Sequence, residues 1–428
     1  MLEFPLEMFL PASDLTPINE NIDKIVYGLT KWEPTIGELG VVAPPKVTVE
    51  GKDYQDAVAK MHQLFLRNMW SDGLPIAPAT EEAVDWILTG TDLSADTVIG
   101  KILPRGGIAT VESIAAALAS TGGRPEYMPV LIAAVRAFVD PGFVQQSFQA
   151  TTSSGYPVVI VNGPIGKQIR IGSGYGCIGP HPQYPAGGAI GRALRMLQLN
   201  LGGARPGVGT MAIYGGASRY TNVVFAEDED GLPPDWEPLN VSYLGYPRGT
   251  NTVAMFAANS SINVGGGGAA LTEDKALSVL HRFAGFMRAP NSNYYSGGDQ
   301  KFYDGCPCIV FFARGTAKGI DEVLGLSKEE TKAWLWENGK IPYDTAVGSG
   351  FGGRYETFGI PEGEPLPIVS KPENIMVVVA GGEQSGHSYF MAVGLGPTEV
   401  TSAEIELPAN WDELLEEAEE DMGPVPEG

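Results

Sequence analysis

Apolar positions along the chain follow two rhythms. In some stretches they return every three or four residues, as on one face of a helix. From Asp53 to Trp70, Ala57, Met61, Leu64 and Phe65 share such a face. From Thr272 to about Met287, Ala276, Leu277, Leu280, Phe283, Ala284 and Met287 do the same. Helices are also predicted near 111–120 and 126–138, the second framed by Pro125 at its start and Asp140-Pro-Gly142 after its end, the usual asymmetry. Another begins near Thr80, with Glu81 and Glu82 suited to its positive end. Ser327-x-x-Glu330 is a capping box, and a final helix is predicted near 411–420.

Elsewhere the apolar residues come as short unbroken runs. Tyr156–Val161, Val223–Ala226, Thr252–Ala257 and Asn374–Ala380 are each bounded by glycine or asparagine. Such runs predict strands buried on both faces. Residues 1–50, rich in Pro and Thr, predict an irregular arm with one strand at Lys46–Val49. Gly155-Tyr-Pro-Val-Val-Ile-Val161 is echoed by Gly305-Cys-Pro-Cys-Ile-Val-Phe311. The expected fold is therefore α/β: two related lobes of mostly buried strands with flanking helices, plus the arm. The arm and first helices would fill 1–105, the first lobe 106–270, and the second lobe, with its acidic helix, 271–428. The helices near 187–201 and 273–288 would be counterparts.

Glycine changes the picture. There are 56 in 428 residues, nearly twice the usual share of about 7%, and they gather at the ends of the apolar runs, where tight turns need them. The net charge of −23 argues against a nucleic-acid partner or an anionic membrane surface. Ten of the acids lie in 401–428 with no base among them, so the tail beyond Glu413 is expected to be peripheral. Cys177, Cys306 and Cys308 make no disulfide framework. The chain shows no basic leader and no apolar run of membrane length, which predicts a cytoplasmic protein. The arm suggests a homo-oligomer.

Ligands of open α/β sheets bind beyond the carboxyl ends of the strands. Those ends here are Asn162-Gly163, the stretch from Asn259, Arg314-Gly315, and Gly381-Gly382 through His387. The loop Gly172–His181 precedes a helix carrying Arg192, and a turn at 103–107 carries Arg105. Arg105, Arg192 and Arg314 would hold an anionic small molecule, aided by Asn162, Gly163, Asn259, Gly381 and Gly382. His387 and His181, in glycine loops, are the acid–base candidates. Cys177 beside His181 is the candidate nucleophile. His62 and His281 fall within helices and read as structural. The glycine spacing at 172–179 loosely matches a dinucleotide loop, but Pro180 and Pro182 stop a helix from starting there. No cofactor and no metal is expected.

Several phrases, in order, carry a resemblance: Asp72-Gly-Leu-Pro75, Pro104-Arg-Gly-Gly107, Arg124-Pro-Glu-Tyr127, Gln149-Ala-Thr-Thr152, Val161-Asn-Gly-Pro164, Ile190-Gly-Arg-Ala193, Gly202-Gly-Ala204 and Trp236-Glu-Pro-Leu239. Over most of 70–400 the chain resembles a broad set of bacterial proteins of unassigned role. That set is related by label to small proteins bearing a U-G-S-C motif, where U is selenocysteine or cysteine. The resemblance implies thiol or selenol chemistry and assigns no catalytic residue. This chain has no Gly-Ser-Cys, so a separate partner protein would supply that group.

The expected function is that of an enzyme, a lyase or hydrolase acting on a small polar, anionic molecule between the lobes. The alternatives are a thiol-dependent reductive component and a non-enzymatic binding or scaffold subunit.

Overall fold

The computed structural model describes Phe4, Met8 and residues 12–33, 46–219, 221–265, 272–289, 308–383, 386–393 and 398–426. Cys306 and the Gly305-x-Pro307 half of the echo lie outside the described residues.

A small antiparallel ribbon pairs β1 (Val98–Ile102) with β2 (Gly107–Thr110). Among the described residues the main sheet has seven strands: β3 (Tyr156–Asn162), β4 (Val223–Ala226), β5 (Thr252–Val264), β6 (Cys308–Phe312), β7 (Ile375–Val379), β8 (Ser388–Val393) and β9 (Thr401–Glu404). Its order is β4-β3-β5-β8-β6-β7, with β9 beside β5. β3 is parallel to β4 and antiparallel to β5; β6 is parallel to β7 and antiparallel to β8. The order is thus palindromic about the β5–β8 pair. The α/β class is as expected, and β3 and β6 hold matching places, but both halves feed one sheet.

The helices do not match as expected. The helix Ala186–Asn200 lies in the crossover from β3 to β4, whereas Glu273–Met287 precedes β6. The topological counterparts of the former are Arg314–Leu324 and Lys328–Asn338, between β6 and β7. The counterpart of Glu273–Met287 is Met128–Val139, ahead of β3. Sequence order around the strands decides the correspondence, and helical period alone does not carry it.

β5 joins the halves. Thr252–Ala258 pairs with β3, and Ala258–Val264 pairs with β8, with the register broken between Ala258 and Ser260. β9 continues the line of β8 along Thr252–Met255. In a flat sheet β4 and β6 would stand four strand spacings apart, about 19 Å. Instead the rings of Phe225 on β4 and Phe311 on β6 lie 5.1 Å apart, and the Asp228 N–H donates to Val379 O at 2.8 Å. The sheet curls until the carboxyl ends of β4 and β7 meet.

Alternation on β3 separates two cores. Val159 and Val161 face helices Val111–Ser120, Met128–Val139 and Ala186–Asn200. Val158 and Ile160 face inward with Phe225, Phe256 and the buried residues of β6, β7 and β8. Both faces are covered, which is why the strands are apolar throughout. The boundary expected at 105 falls in the turn of the β1–β2 ribbon, and the one at 270 follows a strand shared by both halves.

The acidic tail is docked rather than peripheral. Helix Trp411–Met422 buries Trp411, Leu414 and Ala418. Glu417 accepts from Trp86 Nε1 at 2.9 Å and Asp421 from Arg124 Nη1 at 2.8 Å. The buried Arg170 donates to the carbonyls of Met422 and Gly423. Among the described residues no helix is long and apolar enough to cross a membrane.

Candidate functional site

The carboxyl ends of the strands converge, but much of their chemistry is turned inward. Asn162, 1% exposed, donates from Nδ2 to Glu227 at 2.7 Å and to Glu229 at 3.0 Å. The Gly163 N–H, at a φ of +92°, donates to Glu229 at 2.7 Å. Glu227 is itself buried. It accepts from the Leu239 N–H at 2.6 Å and lies 3.8 Å from the buried ammonium of Lys328. Lys328 also donates to Glu237 O at 2.6 Å. Burial pushes the Glu227 carboxyl up and the Lys328 ammonium down, each opposed by the other's charge. Asn162 and Gly163 therefore tie β3 to the turn after β4.

Arg314 is equally committed. Its Nε and Nη2 grip both oxygens of Asp228 at 2.8 Å, and Nη1 reaches Glu383 at 2.8 Å. The bidentate bond to Asp228 raises the guanidinium above its ordinary value, against the cost of burial. Two carboxylates neutralise the arginine expected to hold an anion.

A cleft of about 150 Å³ opens next to this lock. Gly176, Cys177 and Ile178 come from the loop after β3; Ala313, Ala380 and Gly381 are the ends of β6 and β7; His387 and Ser388 begin β8; Asn263 lies near the end of β5. The Gly381 N–H donates to Ser173 O at 2.8 Å. A side chain on Gly382, at a φ of +86°, would come within 3.0 Å of the Tyr175 ring. The two glycine loops thus meet, as the spacing of strands and loops predicts.

Within the cleft, the exposed His387 imidazole sits over Gly265. Its carbonyl accepts from Thr316 Oγ1 at 2.9 Å, which fixes the backbone there. Ser388 is 5% exposed and its hydroxyl has no hydrogen-bond partner among the described residues. Cys177 is a buried thiol, and burial pushes it up to about 12, so at neutral pH it is not the thiolate that nucleophilic chemistry uses.

The other expected residues do not join. His181 accepts from the Gln183 N–H through Nδ1 at 3.1 Å and packs on Tyr184, with ring centroids 5.1 Å apart; it does not line the cleft. Arg192 grips Asp72 through Nε at 2.8 Å and Nη2 at 2.9 Å, and also donates to Pro75 O. Arg105 sits where its N–H donates to Gly202 O, past the far end of helix Ala186–Asn200 from the glycine loop. Asn259 is not at a strand end: β5 runs on to Val264, and Asn259 accepts from Ser153 Oγ at the register break.

Ser388 and Asn263 were not singled out from sequence. The polar spelling Asn259-Ser-Ser-Ile-Asn263 hides the second half of β5, and the apolar run after Ser388 was the available sign of β8. Among the described residues no group of three or more His, Cys, Asp and Glu side chains comes together as a metal site would require. No protein-family model matches the chain, and neither a curated protein nor a solved structure shows a match to it.

Proposed function

We propose that the protein is an enzyme that binds a small polar molecule in the His387 cleft and moves a proton on it, as a lyase or hydrolase does. The observation that carries this reading is a solvent-facing imidazole next to a buried, unpaired hydroxyl in one cleft. An imidazole changes its charge near neutral pH and serves as general acid or base. A buried hydroxyl without a partner calls for a ligand atom or a water. Ser388 Oγ and the Asn263 amide would orient the molecule, and His387 would exchange the proton.

The ligand favoured by this arrangement is polar and uncharged. Arg314 is held by Asp228 and Glu383, so it offers an anion no free charge. The thiol-dependent alternative would need Cys177 as thiolate, against its burial. The test is a screen of uncharged ester, amide and alcohol substrates with the wild type and His387→Ala. The substitution should cut turnover by roughly 10²–10⁴ and leave the melting temperature unchanged. Full turnover in the variant would sink the proposal.

A further inference from the structure

From residue 141 to residue 226 the chain carries no Asp or Glu, although it has 51 of them in total. A cation buried in this stretch therefore finds no local counter-charge. Arg170 and Arg192 find partners far off in sequence, in the tail carbonyls and Asp72. Arg195 and Arg219 form no ion pair with an acid among the described residues. Arg195 is 6% exposed, and its one side-chain hydrogen bond is a long one, from Nη2 to Ala204 O at 3.3 Å. Arg219 is 7% exposed and its guanidinium has no partner among the described residues. The buried Nε of nearby Arg205 is also unpaired.

These groups are gathered by the fold. Gly191, Arg195 and Gln198 share one face of helix Ala186–Asn200, by their spacing of four and three. Asn222 Nδ2 donates to Gly191 O at 3.0 Å and Gln198 Oε1 at 3.4 Å, straddling Arg195. Arg219 lies three residues before Asn222. The loop after Arg205 is tied down: Thr210 Oγ1 and the Ala212 N–H both donate to Thr151 O, at 3.3 and 2.9 Å.

Burial, with the charge of Arg219 adding to it and that of Asp72 opposing, draws Arg195 down to about 9; burial draws Arg219 down to about 10. Both stay protonated at neutral pH, as guanidinium groups do in proteins. Deprotonation does not relieve the pair, and the acid whose charge reaches Arg195, Asp72, is already gripped by Arg192, so positive charge is left in excess where burial makes it costly.

We propose that Arg195 and Arg219 form a buried receptor for a tetrahedral dianion, inorganic phosphate or the phosphate group of a small ester. Two fixed charges match a dianion, whereas a single carboxylate balances one. The guanidinium fork suits its oxygens. The site is built from residues other than those of the His387 cleft, so it stands or falls separately.

The test is calorimetric titration of the full-length protein, dialysed into chloride buffer, with inorganic phosphate. One phosphate should bind per chain, and sulfate, of the same shape and charge, should compete. Arg219→Gln should weaken binding at least about tenfold, and Arg248→Gln, at an exposed pair with Glu237, should not. Competition by glycerol phosphate would show that the site opens to an ester; binding of the free ion alone would show a closed receptor, and either upholds the dianion site. Should Arg219→Gln fail to fold, broadening of the phosphate ³¹P line by the wild type, reversed by sulfate, serves instead. Absence of both heat and line broadening with the wild type at millimolar phosphate, or undiminished affinity in a folded Arg219→Gln, would overturn the proposal.

Discussion

Replacing Lys328 with Met leaves Glu227 buried without its counter-ion. The ammonium lies 3.8 Å from Glu227 Oε1, the two side chains are 4% and 0% exposed, and no other cation is paired with this carboxylate among the described residues. Breaking such a pair from one side costs about 3–5 kcal/mol. For a chain of 428 residues, an unfolding entropy of about 2.1 cal/mol/K per residue gives roughly 0.9 kcal/mol/K, so the melting temperature should fall by roughly 3–6 °C if unfolding is cooperative. The sign of the pH effect follows from the same geometry. Burial already raises the Glu227 carboxyl. A raised folded-state value contributes stability that is fully present below the unfolded value and is lost as pH rises through the folded one. Without Lys328 the folded value rises further, so the deficit of Lys328→Met should be largest at pH 8 and shrink toward pH 5. Glu227→Gln added to Lys328→Met should recover much of the loss, because a glutamine oxygen can still accept from Asn162 and Leu239 while the buried charge is gone. Calorimetric melting of the four proteins of this double-mutant cycle, at pH 5 and pH 8, measures all three effects. A single variant within 1 °C of wild type at pH 8 (a loss of about 0.9 kcal/mol or less), or a double variant no better than the single, would refute the reasoning.

Two further outcomes are expected. Cys177, with its thiol pushed up to about 12 by burial, should alkylate at least about a hundredfold more slowly in the native protein at pH 8 than in denaturant; peptide mapping by mass spectrometry reads this, and rapid native labelling of Cys177 would contradict it. Deleting residues 421–428 removes both carbonyl acceptors of the 5%-exposed Arg170 and should cost about 2–3 kcal/mol, read as a lower denaturation midpoint; an unchanged midpoint would mean that the tail contacts carry no stability.

The strands β3, β4, β7 and the first half of β5 were legible because burial on both faces leaves no polar interruption. The second half of β5 was not: Ser261, Ile262 and Asn263 are exposed, and an exposed strand continuing a buried one reads as a loop. The meeting of the loops around Cys177 and His387 followed from the rule that parallel strands end on one side. The fate of the arginines did not, because Arg314 and Arg192 are claimed by Asp228 and Asp72, 86 and 120 residues away. Spacing within a motif carries no record of a partner that distant. The acid-free stretch 141–226 was open to reading from composition, and it is where buried arginines are left without carboxylates.

β5 has a consequence for synthesis. Its carboxyl half and one edge of its amino half pair with β8 and β9, the last strands of the sheet to be made. At about 5–20 residues per second, the stretch from Val264 to Glu404 takes roughly 7–28 s to translate. Throughout that interval the nascent chain presents an open edge along β5, able to pair with any extended segment nearby. The first half of the protein can collapse on its helices while it waits, but its sheet is finished only from the other end of the message. Crowding of ribosomes on one transcript sets such edges side by side, and a holding chaperone that covers residues 252–264 would protect the yield of folded protein more than one acting after release.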